Sequence, residues 1–222
     1  MPGRTIAIGD IHGCAAALRA LVAAIAPVAE DTIIPLGDYV DRGPDSRGVL
    51  DALLALEQRC RVVPLLGNHE IMLLEALTNP YAIEPWKECG GAATLRSYGG
   101  KLENIPEEHW AFIRRCRRYY ETATHFFVHA NYDADMPLDE QPDYLLFWEH
   151  LMIHTPRPHA NGKIALVGHT SQRTGHVLDG GHVICLDTFC HGGGWLTALD
   201  VGRGTMWQAD LRGMLRQRSS NP

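Results

Sequence analysis

Short apolar segments alternate with helix-like patterns along the first half of the chain. Runs rich in Val, Ile and Thr are typical of strands, whereas apolar residues spaced three and four apart are typical of helices. The predicted strands are Thr5–Gly9, Thr32–Leu36, Arg61–Leu66, His125–His129, Ile164–Val167, His182–Leu186, Leu196–Val201 and Thr205–Ala209. The predicted helices, the second capped by Asp45, are Ala15–Ala26, Ser46–Glu57, His69–Leu77, Glu107–Arg117 and Tyr144–Met152. The order βαβαβα, followed by strands with short turns, predicts an α/β fold.

The pattern loosens between Thr78 and Thr124. This segment contains Pro80, Pro85, Pro106 and two Gly-Gly pairs, which interrupt regular structure. Two interpretations stand equal: an insertion that forms one wall of a pocket, or a surface elaboration. The arginines between positions 114 and 118 fall on more than one face of a helix, so we expect a solvated, partly salt-bridged surface there.

Composition and charge narrow the function classes. The chain has 222 residues, 45% hydrophobic and 21% charged, which predicts one globular domain over residues 1–222. Its net charge of −6 argues against sequence-independent binding to nucleic acid. The longest apolar stretch, 15–29, is broken by Arg19 and Pro27, so we expect no membrane span. The six cysteines form no C-x-x-C pair and no secretion signal is evident, which favours reduced thiols and a cytoplasmic location.

Residues of the types that bind metals follow five of the predicted strands. The first three strands end in glycine followed by such a residue, and two later strands end in a histidine block. The five blocks are Gly9-Asp10-Ile11-His12-Gly13, Gly37-Asp38-Tyr39-Val40-Asp41-Arg42-Gly43, Gly67-Asn68-His69-Glu70, Val128-His129-Ala130 and Gly168-His169-Thr170. Because ligands of open α/β sheets bind beyond the carboxyl ends of the strands, we expect these side chains to converge.

This set suits two divalent ions held about 4 Å apart, which need a bridging carboxylate together with oxygen and nitrogen ligands on each side. Asp10 and His12 lie two apart on an extended segment and point the same way, so they can bind one ion. Asp38, one βα repeat later, is the natural bridge. The second ion would take its other ligands from the later blocks, at Asn68, His129 and His169.

The other histidines and cysteines have no comparable arrangement. Cys185, Cys190 and His191 are of metal-binding types, but they lack a second Cys/His pair, so we expect no soft-metal site there. The histidines that have no partner motif are expected at the surface or in the core, and they are His109, His125, His154, His159, His176 and His182.

Together the blocks GDIHG, GDYVDRG, GNHE, FVHA and VGHT resemble the phosphoprotein phosphatase family of dinuclear metallophosphatases, in its compact bacterial and phage-type serine/threonine branch. The resemblance implies a calcineurin-like metallophosphoesterase fold, with two central mixed β-sheets packed as a sandwich and flanked by helices. It implies the same six metal ligands. The last block lacks the Gly-His-x-His ending typical of nuclease and cyclic-nucleotide members, which favours a phosphatase.

The expected cofactors are two divalent metal ions, manganese foremost, with iron or zinc also compatible with these donors. A water that bridges the ions loses its proton near neutral pH and attacks phosphorus in line. Arg42 is expected to bind phosphoryl oxygens as a planar, bidentate donor. His69 is expected to protonate the leaving group, with Asp41 orienting its ring. The alternative for Asp41 and Arg42 is a mutual salt bridge within the turn.

The chain departs from the family pattern at positions that contact phosphate. Leu66 stands where many members carry arginine before Gly-Asn-His, and His150 stands in place of the arginine of a Trp-x-Arg motif. Arg173 could compensate for both losses, and Phe189 replaces the glycine usual after Leu-Asp-Thr. The expected phosphate-binding residues are Arg42, Asn68 and His150.

These departures leave two substrate classes open. Symmetrical diadenosine tetraphosphate hydrolases also lack the arginine before Gly-Asn-His, but they usually lack the second aspartate of the GDYVDRG block. Because this chain keeps Asp41, we predict a phosphomonoester hydrolase acting foremost on phosphoserine and phosphothreonine in proteins, with dinucleoside polyphosphates as the alternative.

The partners expected on this interpretation are a phosphoprotein or a small phosphorylated substrate, and neither nucleic acid nor a membrane. A metal-loaded binding module without turnover is disfavoured, because every expected ligand and the expected acid are present. The sequence carries no signal of oligomeric state.

Overall fold

The computed structural model describes residues 3–216. Within this range the strands are β1 (Thr5–Ile8), β2 (Thr32–Pro35), β3 (Arg61–Val62), β4 (Tyr119–Glu121), β5 (His125–Val128), β6 (Ile164–Val167), β7 (Leu178–Asp179), β8 (Val183–Cys185), β9 (Leu196–Asp200) and β10 (Thr205–Ala209). The α-helices are α1 (Ala15–Ile25), α2 (Ser46–Glu57), α3 (Asn68–Thr78), α4 (Ile83–Trp86), α5 (Ala92–Ser97), α6 (Glu107–Arg114) and α7 (Asp143–Trp148).

The strands form two five-stranded sheets of mixed direction. The first has the order β10-β9-β1-β2-β3, and the second has the order β4-β5-β6-β8-β7. In the first sheet β1, β2 and β3 run parallel, and in the second β5, β6 and β8 run parallel. The predicted α/β fold with two mixed sheets and flanking helices is confirmed.

Side chains alternate between two layers along each strand, as the pleat requires. In β1, Ile6 and Ile8 pack with α1 and α2, whereas Ala7 points into the space between the sheets. In β5, Phe126 packs beneath α7 and Phe127 points into that same space. The inward-pointing residues of both sheets share one apolar cluster, so the sheets pack face to face with helices outside.

Several predicted boundaries were wrong for identifiable reasons. The strand predicted over Arg61–Leu66 narrows to β3, and the helix predicted to Arg117 ends at Arg114. The helix ends early because Arg117 pairs with the segment after β3: its N–H donates to the Pro64 carbonyl at 2.9 Å and its carbonyl accepts from Leu66 at 2.8 Å. The edge strands β4 and β7 were not predicted, since two or three residues carry too little periodicity.

The loosely patterned segment 78–124 folds back onto the first half of the chain. It forms α4, a π-helical turn at Lys87–Gly91, α5 and α6, and α5 and α6 both contact α2. The arginine surface is salt-bridged as expected, with Arg114 bound to Glu107 at 2.6 Å and Arg115 bound to Glu57 at 2.5 Å. No helix within residues 3–216 is long and apolar enough to cross a bilayer.

Candidate active site

The five sequence blocks meet at one end of the sandwich, around the buried carboxylate of Asp38. One of its oxygens, Oδ2, lies 3.3 Å from His12 Nε2, and the other, Oδ1, lies 3.4 Å from His129 Nε2. Two clusters of candidate metal-binding atoms therefore share this residue. Within each cluster the atoms lie within 4.8 Å of one another, and the clusters are His12–Asp38–His69 and Asp38–His129–His169.

The backbone is strained where these side chains converge. Five residues of the site have positive φ angles between 43° and 70°, which only glycine adopts freely: His12, Asp38, Asp41, Arg42 and His169. Gly37, just before Asp38, has a φ of 105°, and a Cβ there would lie 2.9 Å from His129 Nδ1. Such strain persists where the surroundings over-determine it, and it clusters at functional sites.

Backbone carbonyls fix which nitrogen of each histidine faces the clusters. His12 Nδ1 lies 2.9 Å from the Val40 carbonyl, and His129 Nδ1 lies 2.8 Å from the Leu36 carbonyl. A carbonyl only accepts, so Nδ1 carries the proton and Nε2 presents its lone pair. His169 is reversed, since its Nε2 lies 3.1 Å from the Trp148 carbonyl and its Nδ1 is the free nitrogen. This outer support is typical of metal-binding histidines.

Asn68 and Asp10 complete the predicted set in different ways. Asn68 Oδ1 lies 3.0 Å from both His129 Nε2 and His169 Nδ1, so it joins the second cluster as predicted. The Asp10 carboxylate accepts the His169 backbone N–H at 2.9 Å and belongs to neither cluster. His69 stands in the first cluster instead, and the role of Asp10 as a ligand stays a prediction.

The electrostatics prepare these groups for a cation. Burial opposes ionisation of Asp38, but the adjacent His129, His69 and His12 outweigh it and hold the pKa of Asp38 well below its usual value. Burial, together with the charges of Asp187 and Asp38, raises the pKa of Asp10 well above its usual value. Burial lowers the pKa of His129 and lowers that of His169 to about 3, which keeps both rings in the neutral form that binds metals.

His69 and Asp41 form a buried pair beside the first cluster. His69 Nδ1 lies 2.7 Å from Asp41 Oδ2, and both side chains are almost completely buried. The carboxylate also accepts the Trp86 indole N–H at 2.9 Å and the Thr94 hydroxyl at 2.6 Å. The pairing of Asp41 with Arg42 considered as an alternative does not form. Sequence reasoning missed Trp86 and Thr94, because they lie in the loosely patterned segment.

Glu70 lies within one of the five sequence blocks, but the sequence did not indicate its role. It is completely buried at the start of α3. Its carboxylate accepts the backbone N–H groups of Asp38 and Tyr39, both at 2.8 Å. Burial and the nearby Asp38 charge raise the pKa of Glu70 to about 8. Its contacts hold the strained loop that presents Asp38.

A cavity of about 920 Å³ opens in front of the two clusters. Arg42 lies at its inner end, where Nη1 is 3.0 Å from His12 Nε2. His150 lines the cavity and stacks on His169, with ring centres 4.3 Å apart. The predicted phosphate-binding residues Arg42, Asn68 and His150 therefore all face one cavity, together with Arg173 and Phe189. Their contact with phosphate stays a prediction.

The donor set fits two divalent ions. Each cluster combines a carboxylate oxygen of Asp38 with two imidazole nitrogens, and mixed oxygen and nitrogen donors accept manganese, iron or zinc. A shared carboxylate between the clusters is the arrangement that a dinuclear site requires.

The sequence profile of the calcineurin-like phosphoesterase family matches residues 3–199. The chain belongs to this family. A calcineurin-like phosphoesterase is a metal-dependent hydrolase, so the family agrees with the histidine and aspartate clusters described above. The narrower resemblance to the bacterial serine/threonine branch goes beyond what this match shows.

Relatives and solved structures agree on the fold. The "Bis(5'-nucleosyl)-tetraphosphatase, symmetrical" of Burkholderia pseudomallei strain 668 is 38% identical over 85 residues, which are 38% of this chain and 29% of the relative. The match thus spans less than a third of that protein. A crystal structure provisionally described as a diadenosine tetraphosphatase has a TM-score of 0.73 at 22% identity and covers 98% of this chain and 96% of its own. A cold-active protein-tyrosine phosphatase from a Shewanella species follows, with a TM-score of 0.67 at 17% identity over 97% and 80%.

Proposed function

We propose that this calcineurin-like phosphoesterase hydrolyses dinucleoside polyphosphates symmetrically, so that diadenosine tetraphosphate yields two molecules of ADP. The observation that carries the proposal is the 85-residue region that is 38% identical to the symmetrical tetraphosphatase of Burkholderia pseudomallei. This reverses the order of the two substrate classes expected from the sequence, in which the phosphoprotein came first because of Asp41.

The residues that line the cavity support a polyphosphate substrate independently of the relatives. Leu66, at the position where a protein phosphatase would carry a phosphate-binding arginine, is partly buried against the cluster that includes Phe126. No cation therefore reaches the reacting phosphate from that position. The two arginines that line the cavity, Arg42 and Arg173, come from separate segments. Cations spread along a cavity suit a chain of singly charged internal phosphates better than one terminal dianion.

Two divalent ions bound at Asp38 would activate a water and offset charge on the phosphoryl oxygens. The chain's own residues do the rest. Arg42 presents a planar set of donors at the inner end of the cavity and binds phosphoryl oxygens, which holds the phosphorus in line. His69, whose Nδ1 is tied to Asp41, delivers a proton from Nε2 to the departing oxygen. The pair thereby limits the negative charge that accumulates on the leaving group.

A specific observation favours a second candidate, the hydrolysis of phosphoserine or phosphothreonine in proteins. A phosphate leaving group is a weak base and needs little protonation, whereas a seryl alkoxide is a strong base and needs an acid. This chain holds Asp41 with three side-chain donors, His69, Trp86 and Thr94. Such a well-supported acid is the feature that alkoxide departure requires.

The test is a side-by-side measurement of kcat/KM on diadenosine tetraphosphate and on a phosphothreonine peptide, with manganese present. The proposal expects the dinucleotide to be preferred by at least about tenfold, which corresponds to roughly 1.4 kcal/mol of transition-state stabilisation. A preference of that size for the peptide would favour the second candidate. Turnover of neither substrate by the metal-loaded protein would contradict both.

A further inference from the structure

The cavity wall has a charge opposite to that of the whole molecule. Arg42 and Arg173 line it, and no aspartate or glutamate of residues 3–216 contributes to it. The chain as a whole carries a net charge of −6. A cavity walled by one sign of charge concentrates ligands of the other sign, so this surface is suited to an extended polyanion.

Arg173 lies on this wall without a carboxylate partner. Its side chain is exposed, and no ion pair joins it to an acidic residue in the part of the chain that the structure describes. Its guanidinium carbon instead lies 5.3 Å from the centre of the Phe189 ring, a cation–π distance. Contact with a ring face leaves the N–H donors of Arg173 available to an anion in the cavity.

Phe189, which supports Arg173, is itself held in a conformation that a bulky residue rarely adopts. Its φ of 64° and ψ of 43° are left-handed, and the resembled family usually has glycine there. Its N–H donates to Asp187 Oδ1 at 3.0 Å, and its ring meets the His191 ring at 4.8 Å. A strained residue maintained in this way marks a functional position.

A continuous row of side chains connects this position with the candidate metal site. The His191 ring lies 4.8 Å from the His12 ring on one side and 4.8 Å from the Phe189 ring on the other. Arg42 contacts His12 at the inner end of the row, and Arg173 contacts Phe189 at the outer end. Two guanidinium groups thus stand at the two ends of one wall.

We propose that Arg173, positioned by Phe189, is a second phosphate subsite, which binds the phosphate group next to the one that is hydrolysed. The inference rests on the proposed function, because only a polyphosphate carries that neighbouring group. The reacting phosphate lies against Arg42, and the chain of phosphates runs outward along the wall to Arg173. A phosphopeptide would offer this position a flanking acidic side chain instead. We take the polyphosphate because Arg42 and Arg173 line the same cavity and can contact one chain of phosphates.

The experiment measures binding by isothermal titration calorimetry, with inorganic tripolyphosphate and inorganic orthophosphate as the two probes. Because tripolyphosphate also chelates divalent ions, a metal buffer holds free manganese constant for every protein. The variants are Arg173→Met, Phe189→Leu and, as the matched control, Arg212→Met, which removes an exposed arginine away from the cavity. Thermal melts check that each variant is folded.

We expect the preference for tripolyphosphate over orthophosphate to fall by about tenfold in Arg173→Met, the loss of one charge-assisted contact. Phe189→Leu keeps an apolar side chain without a π face, so its preference should fall by a smaller factor. Arg212→Met should keep the preference of the unmodified protein.

An unchanged preference in Arg173→Met would overturn the subsite. An equal loss of affinity for both probes would also overturn it, since Arg173 would then act on the reacting phosphate or on the fold. Failure of the proposed function would look different from failure of the subsite. Diadenosine tetraphosphate would not be turned over, while the Arg173-dependent preference for tripolyphosphate persisted.

Discussion

His69 illustrates how one residue can satisfy two chemical roles in the same geometry. Its Nε2 lies 4.0 Å from Asp38 Oδ2, within reach of the first metal cluster, and its Nδ1 is bound to Asp41. A carboxylate behind a histidine supports both metal ligands and general acids. The two roles make opposite predictions for metal content, so they can be separated experimentally.

His69→Asn should lower kcat on an alkyl phosphomonoester by roughly 10²–10⁴-fold, because the alkoxide then departs without a proton. The loss on p-nitrophenyl phosphate should be much smaller, since that leaving group is a weaker base. Metal content, measured by elemental analysis, should be unchanged. A drop in the metal-to-protein ratio would instead make His69 a ligand, and an equal loss on both substrates would remove it from the acid role.

Asp10 gives the complementary prediction. Its carboxylate is buried beside Asp187 and bound to the His169 backbone N–H, and a bound cation would stabilise its charged form. Asp10→Asn should therefore lower metal occupancy as well as activity, whereas Asp187→Asn, which alters a neighbour of Asp10 without removing a predicted ligand, should lower occupancy less. Elemental analysis of both variants decides the assignment, and a full metal complement in Asp10→Asn contradicts it.

At the scale of elements, the segment 78–124 brings support to the catalytic pair from far along the chain. Its α4 and α5 carry Trp86 and Thr94, which reach the Asp41 carboxylate from opposite ends of the π-helical turn. None of its residues lines the cavity, so the interpretation of this segment as a pocket wall is wrong, and its contact with the site is made through Asp41. Trp86 and Thr94 thus fix the orientation of Asp41, which in turn orients His69.

Trp86→Phe tests this support, because it keeps an aromatic ring and removes only the N–H donor. The loss of one hydrogen bond to a charged group predicts a decrease in kcat on an alkyl phosphomonoester of about tenfold, with metal content unchanged. Trp110→Phe is the matched control, since Trp110 lies in the same segment and packs in the core. Equal rates for the two variants would show that the indole N–H does not matter to catalysis.

An ion pair between Arg4 and Asp31 joins the start of β1 to the end of α1. The hydrogen-bonded ion pair with Arg4 lowers the pKa of Asp31 to about 2, and Arg4 also donates to the Ile25 carbonyl at 3.1 Å. Because the folded pKa lies below the unfolded value, the pair stabilises the fold at neutral pH, and this contribution is lost as pH falls from about 5 to about 2.

Asp31→Asn should therefore lower the free energy of unfolding by about 2 kcal/mol at pH 7, and the difference from the unmodified protein should shrink as pH falls and vanish only below the folded pKa of about 2. Urea denaturation of the metal-free proteins at several pH values measures it. Asp135→Asn, which breaks the exposed pair with Arg157, should change stability by no more than about 0.5 kcal/mol. A difference for Asp31→Asn that is independent of pH would contradict the assignment to this charge.

At the scale of the molecule, the sequence was informative where chemistry imposes a pattern. Metal-type residues after glycine at strand ends predicted the convergence on Asp38. Short apolar runs predicted most of the strands, and the resemblance to the phosphatase family implied the two sheets. Trp86, Thr94 and Glu70 escaped prediction because their roles depend on which distant backbone or carboxylate they meet. The short strands β4 and β7 escaped because pairing, and not their own residues, defines them.

The whole molecule also explains why Asp41 and Leu66 indicated different substrates. Asp41 belongs to the acid, whose importance depends on the leaving group, whereas Leu66 stands where a protein phosphatase would carry an arginine that binds the phosphate. The substrate that we propose is the one indicated by Leu66, and the proposal rests on the similarity to the Burkholderia relative and on the arginines of the cavity. We therefore propose that the enzyme cleaves the phosphate chain symmetrically.

The most direct measurement is mass spectrometry of the products formed from diadenosine tetraphosphate in ¹⁸O-labelled water by the manganese-loaded protein. Attack of water at one of the two central phosphates predicts ADP as the sole nucleotide product, with one ¹⁸O atom in half of the molecules. AMP together with ATP would place the attack at an outer phosphate, and it would contradict the account, as would the absence of any product.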